Sequence, residues 1–159
     1  MLSFTGFGGV KLEAEVFGDA DDPAVLLVHG AGQTRSMWRS SCDALAQGGR
    51  RAVSLDLRGH GSSEWSGRYD LDAHVQDLRA VLAQMGSRQV VVAYGLGGWI
   101  AALALASDAA NLAAALVLAD MPLEPRDSTP AWIAAQLRLR QELAEPVWDE
   151  GALNDRGCD

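Results

Sequence analysis

The residues with the clearest chemical spacing lie in Ala93-Tyr94-Gly95-Leu96-Gly97-Gly98, where small residues stand two positions before and two positions after a central one. That spacing belongs to a sharp strand-to-helix turn, the G-x-S-x-G elbow. Its central residue presents a nucleophile for acyl transfer, and its small flanks let strand and helix pack closely. Here the flanks are Ala93 and Gly97, and the central residue is Gly95. Without an Oγ no acyl-enzyme can form, and without a carboxylate at the same place no ester intermediate can form either. Glycine nonetheless suits the strained backbone that such a turn imposes. Four further groups could carry protons: His29, His60, His74 and Asp120. His60 shares a Gly-rich loop with Asp56 and Arg58, charges expected to fix the loop through hydrogen bonds. His74 stands beside an apolar helical stripe and is expected to be partly exposed.

The elements needed to position these groups can be read from periodicity. Val90 to Ala93 is a β-branched run that enters the elbow, and Leu96 to Ala106 continues as an Ala/Leu-rich helix. Leu2 to Thr5 and Val10 to Phe17 read as a hairpin at a sheet edge, with Lys11, Glu13 and Glu15 toward water. Ala24 to Val28 is apolar at every position, the pattern of a strand covered on both faces. Met37 to Gln47 reads as a helix closed by Gly48-Gly49, and Ala52 to Leu55 as a short strand. Leu71 to Met85 carries Val75, Leu78, Val81, Leu82 and Met85 at helical spacing, with Asp70 and Asp72 as candidate caps and Gly86 as the stop. Ala114 to Asp120 reads as another buried strand. This alternation predicts an α/β fold built on a mostly parallel, doubly wound sheet, with Val90 to Ala93 central. After Met121-Pro122 the pattern changes, because Pro122, Pro125 and Pro130 punctuate a polar loop and Ala131 to Leu143 reads as a helix. The predicted division is 1–121 for the core and 122–159 for a partial helical cap or appendage. No strand pattern follows Ala119, so the sheet is expected to stop there with a bare apolar edge. Self-association, a complementing chain, or the 131–143 helix is expected to cover that edge.

Composition removes several function classes. A formal charge of −8 and a pI near 4.7 repel phosphate backbones and anionic lipid, so neither nucleic acid nor membrane is an expected partner. Two cysteines, Cys42 and Cys158, build no disulfide framework, and no Cys/His cluster has zinc spacing, so no metal is expected. The start of the chain lacks the basic and apolar segments of a signal peptide, and no apolar run approaches the ~20 residues of a membrane span. A reducing, cytoplasmic setting is the expectation.

Three motifs, His29-Gly30-Ala31-Gly32, Asp56-Leu57-Arg58-Gly59-His60-Gly61-Ser62-Ser63 and Ala93-Tyr94-Gly95-Leu96-Gly97-Gly98, together resemble the α/β-hydrolase superfamily. More narrowly, they look like its single-domain esterases, C–C hydrolases and cofactor-free haloperoxidase-like members. The resemblance covers about residues 10–121 and implies a sheet that stops after its sixth strand and the start of a cap. It implies an oxyanion hole formed by the backbone N–H groups of Ala31 and Leu96, and a His29 that ties loops rather than acting as base. It places Asp120 where some members keep a catalytic acid and others an anchor for the loop into the cap. Trp38 and Trp132 are candidates for an apolar ligand pocket or, equally in kind, for core and lid packing. The implied function is that of enzymes acting on small ester, acyl or C–C substrates without a cofactor. Gly95 and the missing acid/His portion lead to the expectation of an inactive chain. The alternative is a non-catalytic module that binds a small apolar or acyl ligand on the same fold.

Overall fold

The computed structural model describes residues 1–86, 88–106 and 112–121. Strands β1 (Leu2–Thr5), β2 (Lys11–Phe17), β3 (Ala24–Val28), β4 (Arg51–Leu55), β5 (Gln89–Tyr94) and β6 (Ala113–Ala119) form one sheet in the order β1-β2-β4-β3-β5-β6. The β1–β2 and β2–β4 pairs are antiparallel, and β4–β3, β3–β5 and β5–β6 are parallel. Leu26 pairs with Val53 on one side and Val91 on the other, and Val92 pairs with Val117, so the four buried-type segments lie on successive neighbouring strands as the pattern predicts. The hairpin occupies one edge. β5 is an interior strand, second from the β6 end of the described sheet rather than at its centre.

β3 shows why its sequence is apolar throughout. Leu26 and Val28 enter a large cluster with Val53, Leu55, Val91 and Ala93, while Val25 and Leu27 enter a second cluster with Cys42 and Ala52. Both faces are therefore removed from water, at roughly 1.5–3 kcal/mol for each large side chain. Helix α2 (Leu71–Met85) supplies Val75, Leu78, Val81 and Leu82 to the large cluster. Its start is set by Asp70, whose carboxylate accepts from Ala73 N–H at 2.9 Å, and its end by Gly86 at φ 71°. Helix α1 (Arg39–Gln47) brings Cys42 to the second cluster, and helix α3 (Leu96–Leu105) follows the elbow. None of the described helices is long and apolar enough to cross a membrane.

Several local readings change. A 3-10 turn over Arg35–Trp38 precedes α1, so the helix starts at Arg39. Asp72 pairs with Arg68 at 3.2 Å, which leaves the cap to Asp70. Glu13 is half-buried, its carboxylate accepting from Ser3 Oγ at 2.9 Å and pairing with Lys11 Nζ at 2.5 Å. His74 is fully buried, its Nδ1 hydrogen-bonded to Asp70 O at 2.9 Å and its Nε2 without a partner among the described residues. β6 is less covered than its apolar sequence suggests, with Ala114, Ala115 and Val117 exposed. The 122–159 region, including Trp132 and the 131–143 helix reading, lies outside the described residues.

One buried ion pair holds the loops to this frame. Arg58 Nε donates to Asp77 Oδ2 at 2.5 Å and Nη2 to Oδ1 at 2.6 Å, with both side chains out of solvent. The other guanidinium protons go to Phe7 O, Arg68 O and Ser66 Oγ, and Phe7 N–H donates to Asp77 Oδ1 at 2.7 Å. All five Arg58 donors are used. The pair therefore joins the β1–β2 turn, the loop after β4 and α2.

Arg58→Met should strand the Asp77 carboxylate in the interior and lower unfolding free energy by about 3–5 kcal/mol, read from urea denaturation. A loss below about 1 kcal/mol would show that the pair is not holding the loops. Acidification should act in two stages. Burial, with a smaller push from Arg58, holds His74 below the usual 6.5, so the unfolded chain takes up a proton first and stability falls as pH drops below about 6.5. Hydrogen bonding from Arg68 lowers Asp70 from 3.8 to about 2, so its contribution is present above about pH 3.8 and is lost toward pH 2. Denaturation at stepped pH should show that His74→Leu removes the first decline and keeps the second.

Candidate active site

The site is built where β3, β5 and β6 end. Tyr94 closes β5, and Gly95 then takes φ 51° and ψ −116°, a conformation that disfavours every residue with a Cβ. Gly95 N–H donates to Ala119 O and Gly95 O accepts from Trp99 N–H, both at 3.3 Å, so one residue closes the strand ladder and opens α3. Among the described residues, the direction in which a side chain at 95 would leave is open: a Cβ there meets only Gly30 Cα, at 3.8 Å. Two residues on, the chain has no such room. A Cβ at Gly97 would stand 2.5 Å from His29 O and 2.8 Å from Val28 O, because the first turn of α3 lies against the end of β3. That closeness brings the 29–33 loop beside the place where a residue-95 side chain would project.

The loop's backbone is held on both sides of Ala31. Gly30 N–H donates to Gln33 Oε1 at 2.9 Å, and Gly32 N–H donates to His60 Nε2 at 3.4 Å. Ala31 N–H takes part in none of the hydrogen bonds among the described residues. Leu96 is the first residue of α3, so its N–H belongs to the turn of donors without an intrahelical acceptor, at the end of the helix that favours negative charge.

Each nearby imidazole is engaged with backbone. Leu57 N–H donates to His29 Nε2 at 3.0 Å, which leaves Nδ1–H to donate to Gly30 O at 2.7 Å. His60 follows the same logic, with Nδ1 bonded to Arg58 O at 2.9 Å. The two rings lie 4.9 Å apart and are fully buried. Asp56, also buried, accepts from Arg35 N–H at 2.7 Å, from the Arg35 guanidinium and from Ser62 N–H at 2.9 Å. These residues brace loops; neither ring lies within 4 Å of the Cβ position at residue 95.

Asp120 sits at the end of β6, exposed and at φ 47°, and its Oδ2 accepts from Tyr94 OH at 2.8 Å. Gly95, Leu96, Ala31 and Asp120 thus gather at one end of the parallel strands. Trp38 lies elsewhere, packed on the cluster of Val25, Leu27, Cys42 and Ala52 with its Nε1 buried and unpartnered among the described residues. Sequence reasoning missed the roles of Gln33 and His60 in fixing Gly30 and Gly32, and missed the Tyr94–Asp120 bond. Only the position of Tyr94 beside the elbow's centre hinted at the last. Among the described residues no group of three or more His, Cys, Asp or Glu could hold a metal ion. The arrangement can meet developing negative charge with backbone donors, and it supplies no attacking atom at residue 95.

The two glycines should respond differently to substitution. Gly95→Ser should fold with a cost of about 1–3 kcal/mol from backbone strain alone. Gly97→Ala should cost more, because its methyl must displace the carbonyl ends of β3; denaturation midpoints with equal m-values would check the order, and equal losses would contradict it.

The comparisons with known proteins fit this geometry. The model of the alpha/beta hydrolase family matches residues 25–158. The sn-1-specific diacylglycerol lipase ABHD11 of Mus musculus is 35% identical over 137 residues, which cover 82% of this chain and 43% of the lipase. An esterase of Mycobacterium tuberculosis is 35% identical over 102 residues, covering 62% of this chain and 33% of the esterase. The crystal structure of epoxide hydrolase VrEH1 from Vigna radiata superposes with a TM-score of 0.71 at 27% identity, over 79% of this chain and 39% of the enzyme. The chain spans less than half the length of each of these relatives. With the six-strand order, the elbow and the match over most of its length, this chain belongs to the alpha/beta hydrolase family.

Proposed function

We propose that this chain carries the elbow and oxyanion-loop half of a hydrolase site for small ester, acyl or C–C substrates, and that it does not itself turn such substrates over. The observation that carries the reading is Gly95: its backbone has the elbow conformation, its side-chain direction is open toward Gly30, and among the described residues no atom stands there to attack a carbonyl. A substrate carbonyl oxygen placed between the N–H groups of Ala31 and Leu96 would gain charge stabilisation from both. The acyl carbon would then lie over the empty position, with no Oγ to form a covalent intermediate. His29 and His60, both tied to backbone, take no part as base in this reading. Asp120 acts as an anchor through Tyr94, since no imidazole of the described residues stands in place for it to orient. Cys42 is buried, and burial pushes its thiol up to about 11, which removes it as a ready nucleophile.

A second reading, binding of a small acyl ligand without turnover, is favoured by the two donors that outlast the nucleophile. Both readings are tested on one set of samples. Incubation with a fluorophosphonate and with p-nitrophenyl acetate should give no adduct by intact mass and no hydrolysis above buffer. An adduct mapped to Ser36 or Ser62, or turnover that persists at high purity, would overturn the proposal. A melting temperature that rises with short-chain fatty acid concentration would favour the binding reading, since a ligand held only by the folded state stabilises it.

A further inference from the structure

His29 and His60 are fully buried with their rings 4.9 Å apart, and each accepts a hydrogen bond from the other's loop. His29 belongs to the 29–33 loop, and its Nε2 accepts from Leu57 N–H of the loop after β4 at 3.0 Å. His60 belongs to that second loop, and its Nε2 accepts from Gly32 N–H at 3.4 Å. The Nδ1 atoms face carbonyl oxygens of their own loops, Gly30 O at 2.7 Å and Arg58 O at 2.9 Å. An imidazole that donates from Nδ1 and accepts at Nε2 is neutral. Both cross-loop bonds therefore require the neutral ring, and a proton on either Nε2 turns N–H toward N–H. The charged groups packed around the pair are already engaged among the described residues. Asp56 accepts from Arg35 and from Ser62 N–H, and Asp77 of α2 holds the Arg58 guanidinium. His74 of the same helix is bonded to Asp70 O. Tyr94, whose ring lies against Gly30, donates its hydroxyl to Asp120, and burial holds the Tyr69 phenol, against Gly59, above its usual 10.

We propose that the two imidazoles form a proton-operated latch on the oxyanion loop. Neutral, they tie the 29–33 loop to the loop after β4; a proton taken up at Nε2 breaks the bond which that ring accepts and releases the backbone on that side. The latch rests on the oxyanion-hole reading above, in which Ala31 N–H stands between the held N–H groups of Gly30 and Gly32. Once Gly32 is released, one side of Ala31 is untied, while Leu96 N–H stays fixed as the start of α3. The donor pair is thus assembled at neutral pH and comes apart in acid, giving up an anionic ligand held there. The closed loop binds only the neutral rings, whereas the open loop lets them protonate as they would in an unfolded chain. Acid therefore favours the open form as pH falls below the ordinary imidazole value of about 6.5. Because the open and unfolded forms take up the same protons at these rings, the event is local and leaves the acid decline of global stability to His74.

Amide exchange followed by NMR, with each rate divided by its value in an unstructured chain, reads the latch at its two bonds. Protection at Gly32 and Leu57 is expected to be level above about pH 6.5 and to fall about tenfold or more by about pH 5, while Leu26 in β3 and Val91 in β5 keep theirs. His60→Gln puts a non-titrating amide oxygen within reach of Gly32 N–H, so Gly32 should stay protected in acid while Leu57 still loses protection. His74→Leu should leave both falls unchanged. Level profiles at Gly32 and Leu57 in the wild-type chain would overturn the proposal, as would a fall shared by Leu26 and Val91, which is global unfolding. A fall at Gly32 that persists in His60→Gln, or that disappears in His74→Leu, would overturn it equally. Should His60→Gln not fold, the imidazole nitrogen shifts of the wild-type chain decide. Protonation of His60 at the midpoint of the Gly32 change supports the latch, and a ring that stays neutral through that change contradicts it. None of these readouts uses a ligand or turnover, so the latch stands or falls separately from the proposed function.

Discussion

The first turn of α3 lies almost in contact with the last carbonyls of β3, and the site depends on that approach. A single methyl at Gly97 would stand 2.5 Å from His29 O, so helix, strand and 29–33 loop cannot separate without loss of packing on all three. The same approach brings Leu96 N–H and Ala31 to the same end of the sheet. The elbow is thus held by its neighbours and not by the residue at its apex. Gly95 supplies the backbone freedom the apex requires, which is why its conformation can persist with no catalytic side chain there.

A buried polar layer carries that order outward from the strand ends. Arg58 and Asp77 join the β1–β2 turn to α2, Asp56 collects Arg35 and Ser62, and His60 reaches from the same loop to Gly32. Arg58, Asp77, Asp56 and His60 are buried and hydrogen-bonded, the condition under which a polar interior fixes one arrangement instead of weakening it. Replacing Arg58 would leave the Asp77 carboxylate in a low-dielectric interior, and replacing Arg35 would remove a cation from the buried Asp56. The bonds at Gly30 and Gly32 fix the 29–33 loop beside Gly95 before any ligand arrives.

Local pattern made much of this legible. The apolar run of β3, the cap at Asp70, the stop at Gly86 and the small flanks of the elbow are all consequences of residues within a few positions of one another. Long-range contacts were not. Asp77 is nineteen residues from Arg58, and nothing on the helix marks it as the partner of a buried guanidinium. His74 reads as a stripe-edge residue because sequence does not reveal what covers α2 on that side. Trp38 packs on the α1 face of the sheet, at the end of a 3-10 turn that periodicity does not resolve. The Tyr94–Asp120 bond joins strands whose adjacency follows from topology but whose side-chain contacts do not.

The central claim is that the backbone conformation at Gly95 is held by its surroundings and not by a side chain at the apex. A crystal structure of this chain at a resolution that defines individual peptide planes would test that most directly. The account predicts residue 95 near φ 51° and ψ −116°, with Ala31 and Leu96 N–H facing the same open volume. Residue 95 relaxed into the helical or extended region, with α3 withdrawn from the end of β3, would contradict it.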